Sequence, residues 1–403
     1  MEQVVTEHNE IHFPEIEKRI LAISEFVKQV VVTKRDNELT AFIYPDFDRL
    51  EKANVINIEE KLKWYAVELY NIEAEQGKRV TNYKILTHPF REQPETVSTN
   101  TEIEPDNAIY RELKKYLGSV TASPIFPASH LELDLGLDSL EYVMLFMFIE
   151  KSYALHLDEE QFSKLMVLED LYLWIEKHYK KSDISSVNWH DILKEKSKEI
   201  LVYSPWVMMV WKWTLLPFLK LYLKLKVTGI ENLPSSPFII APTHHSMLDG
   251  FVVLATLPSS VLKKSFFLAY EGEFGTPRLR PVAKYSQMLL IDVDKNIKAS
   301  LQRTALPLIE SQNLVIFPEG ARSRDGKLLE FKKFFAILSE ELNVPIVPVV
   351  MKGTFEAMPT GRIFPKREKI SIKYLEPIYP DDESYDKLSD RVRDSIREEL
   401  KKA

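Results

Sequence analysis

The stretch "APTHHSMLDG" (residues 241–250) places two adjacent histidines before an aspartate, in a chain with nine histidines among 403 residues. An imidazole oriented by a carboxylate can act as a general base near neutral pH. On a helix, His245 would meet Asp249 at the i, i+4 spacing. His244 would meet Asp249 only if His244 lies in a loop before the helix, because five helical residues turn the side chain away. The spacing therefore predicts a histidine–aspartate pair and leaves the identity of the histidine open.

A second polar segment, "VIFPEGARSRDGK" (residues 315–327), follows a short apolar run that is typical of a buried strand. Its candidate binding residues are Glu319, Gly320, Arg322 and Ser323. A glycine turn with arginines at the end of a parallel strand can hold a phosphate by bidentate hydrogen bonds. A solvated basic loop is the alternative interpretation.

A third candidate is Ser139 in "LDLGLDSLEYVMLFMFIEK" (residues 133–151). Gly136 ends one turn, and Asp138, Ser139 and Leu140 open a predicted helix. The helical period predicts an apolar face made by Leu140, Val143, Met144, Met147 and Phe148. On these residues alone, the serine is a helix cap and the aspartate suits the helix dipole.

Composition narrows the classes of function. The net charge of −7 and the pI near 5.8 argue against a nucleic-acid-binding protein, which normally has a basic domain. The chain has no cysteine, so disulfides, thiolate metal sites and a cysteine nucleophile are excluded. The polar, acidic start of the sequence is not typical of a signal peptide.

The patterns along the chain predict a multidomain protein. Strand-like runs such as "ELTAFIYP" and one helical run indicate a small α+β unit, and a helical, acidic stretch follows it. Toward the end, short apolar runs alternate with helices, which predicts an α/β sheet covered by helices. We expect four parts: an α+β unit in residues 1–100, a helical bundle in 104–182, an apolar helical segment in 190–227 and an α/β domain in 228–403.

The apolar segment contains "LVYSPWVMMVWKWTLLPFLKLYLKLKV" (residues 201–227), with aromatic residues and lysines but no acid. Its uncharged run before Lys212 is about half of the ~20 residues that cross a bilayer, and Pro205 and Pro217 should interrupt a continuous span. Aromatic and lysine side chains around an apolar stretch favour helices that lie in the plane of a membrane surface. A true span and a helix buried in the protein core are the alternatives.

His-x4-Asp, "FPEGARS" and the late strand "VPIVPV" together strongly resemble the glycerolipid acyltransferase family, typified by 1-acyl-sn-glycerol-3-phosphate acyltransferase. The resemblance spans residues 228–373. It implies that His244 is the catalytic base and that Asp249 orients it. It also implies that Glu319, Gly320, Arg322 and Ser323 bind the acceptor's glycerol phosphate.

One position departs from that family. Its middle motif ends in an arginine that helps to bind the acceptor phosphate, and Val293 stands there in "SQMLLIDVDKN". Lys295 is a nearby cation, but a point charge is not equivalent to a bidentate guanidinium.

Two further resemblances concern the first half of the chain. The Asp-Ser-Leu region closely resembles an acyl carrier protein, which implies 4′-phosphopantetheine on Ser139, loaded by a phosphopantetheinyl transferase. Residues 1–100 resemble the C-terminal subdomain of acyl-activating (adenylate-forming) ligases. Thr99 and Asn100 stand where those ligases have glycine and the catalytic lysine, so this resemblance implies a fold without that activity.

The resemblances together imply an O-acyltransferase that needs no metal and works at the cytoplasmic face of a membrane. Its acceptor would be a lysophospholipid such as 1-acylglycerol-3-phosphate. Its donor would be an acyl carrier protein thioester, in cis or in trans, or acyl-CoA. The alternative is a non-catalytic carrier module, docked at the membrane by a degenerate acyltransferase scaffold.

Overall fold

The computed structural model describes residues 13–35, 38–53, 55, 57–90, 104–153, 155, 159–162, 164–179, 189, 193, 200–235, 237–291, 297–323, 326–359, 362 and 364–402. The chain divides into two compact units: residues 13–179 and Ile297 belong to the first, and the other described residues, from 189 onward, belong to the second.

The first part of the first unit contains a three-stranded sheet of order β1-β2-β3. Strands β1 and β2 are antiparallel, and β2 and β3 are parallel. The strands are β1 (Val27–Arg35), β2 (Glu38–Pro45) and β3 (Val80–Ile85); the helices are α1 (Pro14–Ile23), α2 (Phe47–Lys52), α3 (Ile58–Leu62) and α4 (Glu68–Glu73). Alternate residues of β2 are buried, so Leu39, Ala41 and Ile43 join the helices in one apolar core. This arrangement is the small α+β unit that the sequence predicts.

Among the described residues of the same unit, four helices follow: α5 (Ala108–Leu117), α6 (Ser139–Tyr153), α7 (Glu159–Phe162) and α8 (Leu168–His178). Their buried residues include Leu113, Leu145, Ile149 and Leu171. The apolar face predicted for α6 is partly wrong, because the buried residues of that helix include Tyr142, Leu145, Phe146 and Ile149. Leu140, Met144 and Phe148 are only partly buried. A helix that is apolar around most of its circumference leaves the buried face to be decided by its neighbours.

The second unit is built on a seven-stranded sheet of order β4-β10-β9-β5-β8-β6-β7. All neighbouring strands are parallel except β9 and β10. The strands are β4 (Lys226–Thr228), β5 (Ile239–Pro242), β6 (Ser265–Tyr270), β7 (Met288–Ile291), β8 (Asn313–Val315), β9 (Ile346–Lys352) and β10 (Ser371–Tyr374). The central strands β5, β8 and β9 are almost wholly buried, as expected for parallel strands covered on both faces.

Nine helices accompany this sheet in the part of the second unit that the structure describes. They are α9 (Pro205–Tyr222), α10 (Leu248–Thr256), α11 (Ser259–Leu262), α12 (Glu271–Phe274), α13 (Arg280–Tyr285), α14 (Ile297–Ile309), α15 (Phe334–Leu342), α16 (Thr354–Ala357) and α17 (Tyr385–Lys401). The predicted alternation of strands and helices is therefore confirmed for this α/β unit.

Helix α9 runs without interruption for 18 residues, with Pro217 inside it. The expectation that Pro217 interrupts the helix is wrong. Met208 and Leu219 of α9 are buried in the main apolar core of the unit, whereas Trp206, Trp213 and Leu221 are 72%, 68% and 78% exposed. Among the described residues, no helix combines the length and the apolar character needed to cross a bilayer.

Candidate active site

The two polar segments found in the sequence follow the carboxyl ends of two neighbouring strands. Strand β5 ends at Pro242, just before His244, and its parallel neighbour β8 ends at Val315, just before the Phe317–Glu319 turn. The carboxyl ends of parallel strands are where α/β sheets place their ligand sites. The sheet topology therefore brings together segments that lie about 75 residues apart in sequence.

His244 is the histidine whose ring meets Asp249. Nδ1 of His244 lies 3.2 Å from Oδ2 of Asp249. The same oxygen accepts hydrogen bonds from the backbone N–H groups of His245 at 2.6 Å and Ser246 at 2.7 Å. This arrangement is possible because His244 lies in the turn before α10 and Asp249 lies in its first helical turn. The backbone N–H of His245 thus also binds Asp249.

The surroundings of the pair suit a general base. Asp249 is fully buried, and the His244 side chain is 19% exposed. A proton on Nδ1 that is donated to Asp249 leaves Nε2 as the nitrogen able to accept a proton from a substrate. The ring of Phe317 stacks on the imidazole, with centroids 4.0 Å apart and planes inclined by 26°. The carboxylate and this aromatic ring together fix the orientation of His244.

Glu319 binds the backbone of the catalytic turn. Its Oε1 accepts a hydrogen bond from the N–H of His244 at 2.7 Å, and its Oε2 accepts one from the N–H of Leu329 at 2.8 Å. Glu319 is 3% exposed. The pKa of Glu319 is raised to about 7, mainly by burial and to a smaller extent by the Asp249 charge, against the lowering effect of the two N–H groups. Both oxygens of the predicted acceptor-binding carboxylate are thus engaged within the protein.

The remaining residues of the second segment close the loop over the histidine turn. Gly320 has a φ of +67°, a conformation that disfavours residues with a Cβ. The backbone N–H of the fully buried Ser323 donates to the carbonyl of His244 at 2.7 Å. Nη1 of Arg322 lies 3.3 Å from the sulfur of Met247, in the turn between His244 and Asp249. Arg322 therefore extends along the turn that carries the base. Val293 and Lys295, in the middle motif that differs from the family pattern, lie outside the described residues.

Ser139, the predicted attachment point in the first unit, is the first residue of α6. Oδ1 of Asp138 accepts hydrogen bonds from the N–H groups of Leu140 and Glu141, both at 2.9 Å. The Glu141 carboxylate accepts the N–H of Asp138 at 3.0 Å. This reciprocal pair is a capping box. Asp138 is the cap, and Ser139 is not needed for that purpose. Thr99 and Asn100 lie outside the described residues.

Two contacts of this site were not anticipated from the sequence: the stacking of Phe317 on His244 and the double backbone contact of Glu319. Both join β5 to β8 across the sheet, and the sequence alone does not give the order of strands. The signal available was the position of Phe317 and Glu319 immediately after a buried strand, where side chains reach the carboxyl edge of the sheet.

Residues 224–352 match the Acyltransferase family model. The chain is 34% identical over 173 residues to a 1-acyl-sn-glycerol-3-phosphate acyltransferase of Limnanthes douglasii, covering 42% of this chain and 59% of that protein. It is 31% identical over 202 residues to a protein of the same name from Saccharomyces cerevisiae, covering 45% of this chain and 62% of that protein. The chain thus spans about three fifths of the length of these relatives.

Among solved structures, the 1-acyl-sn-glycerophosphate acyltransferase of Thermotoga maritima is 27% identical, with a TM-score of 0.43, covering 49% of this chain and 81% of that one. The family match includes His244, Asp249, Glu319 and Arg322. Residues 224–352, which hold the histidine–aspartate pair, are therefore the part of this chain that is similar to the Acyltransferase family.

Proposed function

We propose that the chain transfers a fatty acyl group from a thioester donor to the hydroxyl of a lysophospholipid, such as 1-acylglycerol-3-phosphate, in phospholipid biosynthesis. The observation that carries this proposal is the 3.2 Å contact between His244 and Asp249 within the segment that matches the Acyltransferase family. The names of the relatives from Limnanthes and yeast support the same acceptor class.

The geometry supplies a mechanism for this reaction. Nε2 of His244 takes the proton of the acceptor hydroxyl while the hydroxyl oxygen attacks the thioester carbonyl. The new C–O bond forms and the C–S bond breaks, and the proton passes from the imidazolium to the departing thiolate. Asp249 keeps the Nδ1 proton and stabilises the imidazolium that forms in between. These steps need no metal.

The proposed donor includes the chain's own helical bundle. Ser139 stands at the N-terminus of the 15-residue helix α6, where the helix dipole favours a phosphate, so this position fits 4′-phosphopantetheine. The group would supply the thiol that carries the acyl chain. A donor tethered in cis reaches an effective concentration of about millimolar when its linker can span the sites. A separate acyl carrier protein and acyl-CoA are the other donors of this class.

We place the proposed reaction at the cytoplasmic face of a membrane. The exposed side chains of Trp206, Trp213 and Leu221 on α9 support this, because aromatic and apolar residues are favourable at the boundary between lipid headgroups and acyl chains. An in-plane helix there would bring a lipid acceptor to the same unit that holds His244.

Incubation of the full-length protein with labelled acyl donors and a panel of lysophospholipids tests the reaction. We expect a diacyl product from 1-acylglycerol-3-phosphate. Product absent with every donor and acceptor, while the protein still binds membranes, would instead favour the non-catalytic carrier module.

The carrier assignment has its own test. After reaction with a phosphopantetheinyl transferase and coenzyme A, intact-mass measurement should show the addition of one phosphopantetheinyl group to the wild type and none to Ser139→Ala. Ser123→Ala, which alters another serine of the same unit, is the control and should gain the group. Addition to the Ser139→Ala protein would contradict the assignment.

A further inference from the structure

A cavity of about 520 Å³ lies beside β7, the edge strand of the large sheet, and its lining includes neither His244 nor Asp249. This volume is within the range of small-molecule sites. Apolar lining comes from Leu201, Phe266, Met288 and Leu289, and charged lining comes from Arg280, Lys284, Arg303 and Glu271. The cavity thus combines apolar walls with an excess of positive charge.

The cations occupy defined places around the cavity. Arg280 and Lys284 lie one helical turn apart on α13, and both are exposed. Arg280 forms an ion pair with Glu271. Arg303 enters from α14, and its Nη1 donates to the carbonyl of Leu290 at 2.9 Å, which anchors the guanidinium beside β7. Three cations against one carboxylate favour an anionic ligand, and guanidinium and ammonium groups suit phosphate oxygens in particular.

The surface next to the cavity is apolar and exposed. On and beside α13, Leu279, Val282 and Tyr285 are 42%, 47% and 52% exposed, and Ile200 at the cavity wall is 86% exposed. Leu279, Val282 and Tyr285 are spaced by three residues and are therefore neighbours on the helix surface, and neighbouring exposed apolar residues of this kind mark an interaction surface.

Helix α9 packs beside the end of α13. Nε1 of Trp211 donates to the hydroxyl of Ser286 at 2.9 Å, and the N–H of Ser204 donates to the Gln287 side chain at 3.3 Å. These bonds join the start of α9 to the end of α13. Trp206 lies five residues before Trp211 on this helix, about 140° around its axis, so the exposed Trp206 points away from the contact with α13.

We propose that this cavity binds the phosphate of an anionic membrane lipid headgroup while the exposed apolar residues on and beside α13 enter the lipid surface. The positively charged lining complements the negative phosphate of the headgroup, and the exposed apolar residues beside the cavity are suited to the acyl chains beneath the headgroups. This site does not depend on the transfer reaction.

Vesicle binding by the full-length protein tests the site without measuring transfer. Vesicles of phosphatidylcholine alone are compared with vesicles that also contain phosphatidic acid. We expect the double variant Arg280→Ala/Lys284→Ala to bind the anionic vesicles roughly tenfold or more weakly, because each basic residue near an anionic surface contributes to the free energy of membrane binding. Binding to the neutral vesicles should stay unchanged.

Two variants serve as controls. Lys226→Ala removes an exposed cation from β4, which is the edge strand opposite β7. The two edge strands are about 29 Å apart at ~4.8 Å per strand. This variant should bind the vesicles as the wild type does. Arg280→Lys/Lys284→Arg keeps both charges and should retain binding. Unchanged thermal melting of the alanine variant would establish that it is folded.

Three results would overturn the proposal. One is unchanged anionic-vesicle binding by the double alanine variant, and another is an equal loss on neutral vesicles. The third is release of the wild type from anionic vesicles by millimolar inorganic phosphate at constant ionic strength, which would assign the cavity to free phosphate. A negative transfer assay would contradict the proposed reaction but would not affect these vesicle-binding results. The two proposals can therefore be tested independently.

Discussion

Two buried carboxylates hold His244 in different ways. Asp249 contacts the ring at Nδ1, and Glu319 accepts the N–H of the His244 backbone while also holding Leu329. The first contact sets the direction of the imidazole, and the second sets the position of the turn that carries it. Since both Glu319 oxygens are occupied by the chain, its main contribution at the residue scale is positioning.

Glu319→Gln tests that positioning. A glutamine has one acceptor oxygen, so its amide N–H₂ would face either the N–H of His244 or that of Leu329, and two donors would oppose each other. We expect kcat to fall by roughly 10- to 100-fold, because a displacement of about 1 Å at the reacting groups costs this much. The acceptor KM should change little. Glu356→Gln, an exposed glutamate on α16, is the matched control.

The opposite kinetic pattern would contradict this assignment. If Glu319 contacts the acceptor's glycerol phosphate, Glu319→Gln should raise the acceptor KM and leave kcat nearly unchanged. Steady-state kinetics over a range of acceptor concentrations separates these outcomes.

At the scale of elements, another carboxylate, that of the partly buried Glu132, joins the helices of the first unit to its α+β sheet. The Glu132 carboxylate accepts the N–H groups of Ile58 at 2.9 Å and Glu59 at 2.8 Å, which are free at the start of α3. The segment before α6 thus caps a helix of the preceding module. A side chain 74 residues away completes the end of a helix that is only five residues long.

This cap has a predictable pH dependence. The pKa of Glu132 is raised to about 7, mainly by burial and to a smaller extent by the nearby Glu59 and Glu60 charges, while the two N–H groups lower it. A raised pKa in the folded state means that the folded chain holds the proton more tightly than the unfolded chain. The contribution of Glu132 to the free energy of unfolding is therefore fully present below about pH 4.5 and declines as the pH rises through 7.

Glu132→Gln removes this titration and tests it. The stability of the wild type relative to the variant should decline by roughly 1–3 kcal/mol from pH 5 to pH 8, at 1.36 kcal/mol per pKa unit and allowing for relaxation. Hydrogen exchange of the α3 amides under increasing urea measures the change. Glu51→Gln, an exposed glutamate of the same module, should show no such trend. A difference that does not vary with pH would contradict the account.

At the scale of the whole molecule, the alternation of apolar runs and helical periods predicted both the α+β sheet and the α/β sheet. The period of apolar residues is set by burial on one or two faces, and this information is local in sequence. A histidine–aspartate pair was predicted from local spacing for the same reason, and the family resemblance implied that its histidine is His244.

The features that sequence reasoning missed depend on contacts between distant segments. Spacing alone could not choose between His244 and His245, because the choice depends on whether α10 begins after both of them, as it does at Leu248. Pro217 was expected to end a helix, but packing of α9 against the sheet unit keeps the helix continuous. The role of Glu319 depends on the adjacency of β5 and β8, which no local pattern specifies.

The role of His244 as general base is tested by comparing acyl transfer to 1-acylglycerol-3-phosphate by the wild type, His244→Ala and His245→Gln, each shown to be folded. Loss of the general base should lower kcat by roughly 10²- to 10⁴-fold in His244→Ala. His245→Gln should keep most of the wild-type kcat, because the backbone of His245 makes its contact with Asp249. Equal rates for wild type and His244→Ala would contradict the proposal that His244 is the base.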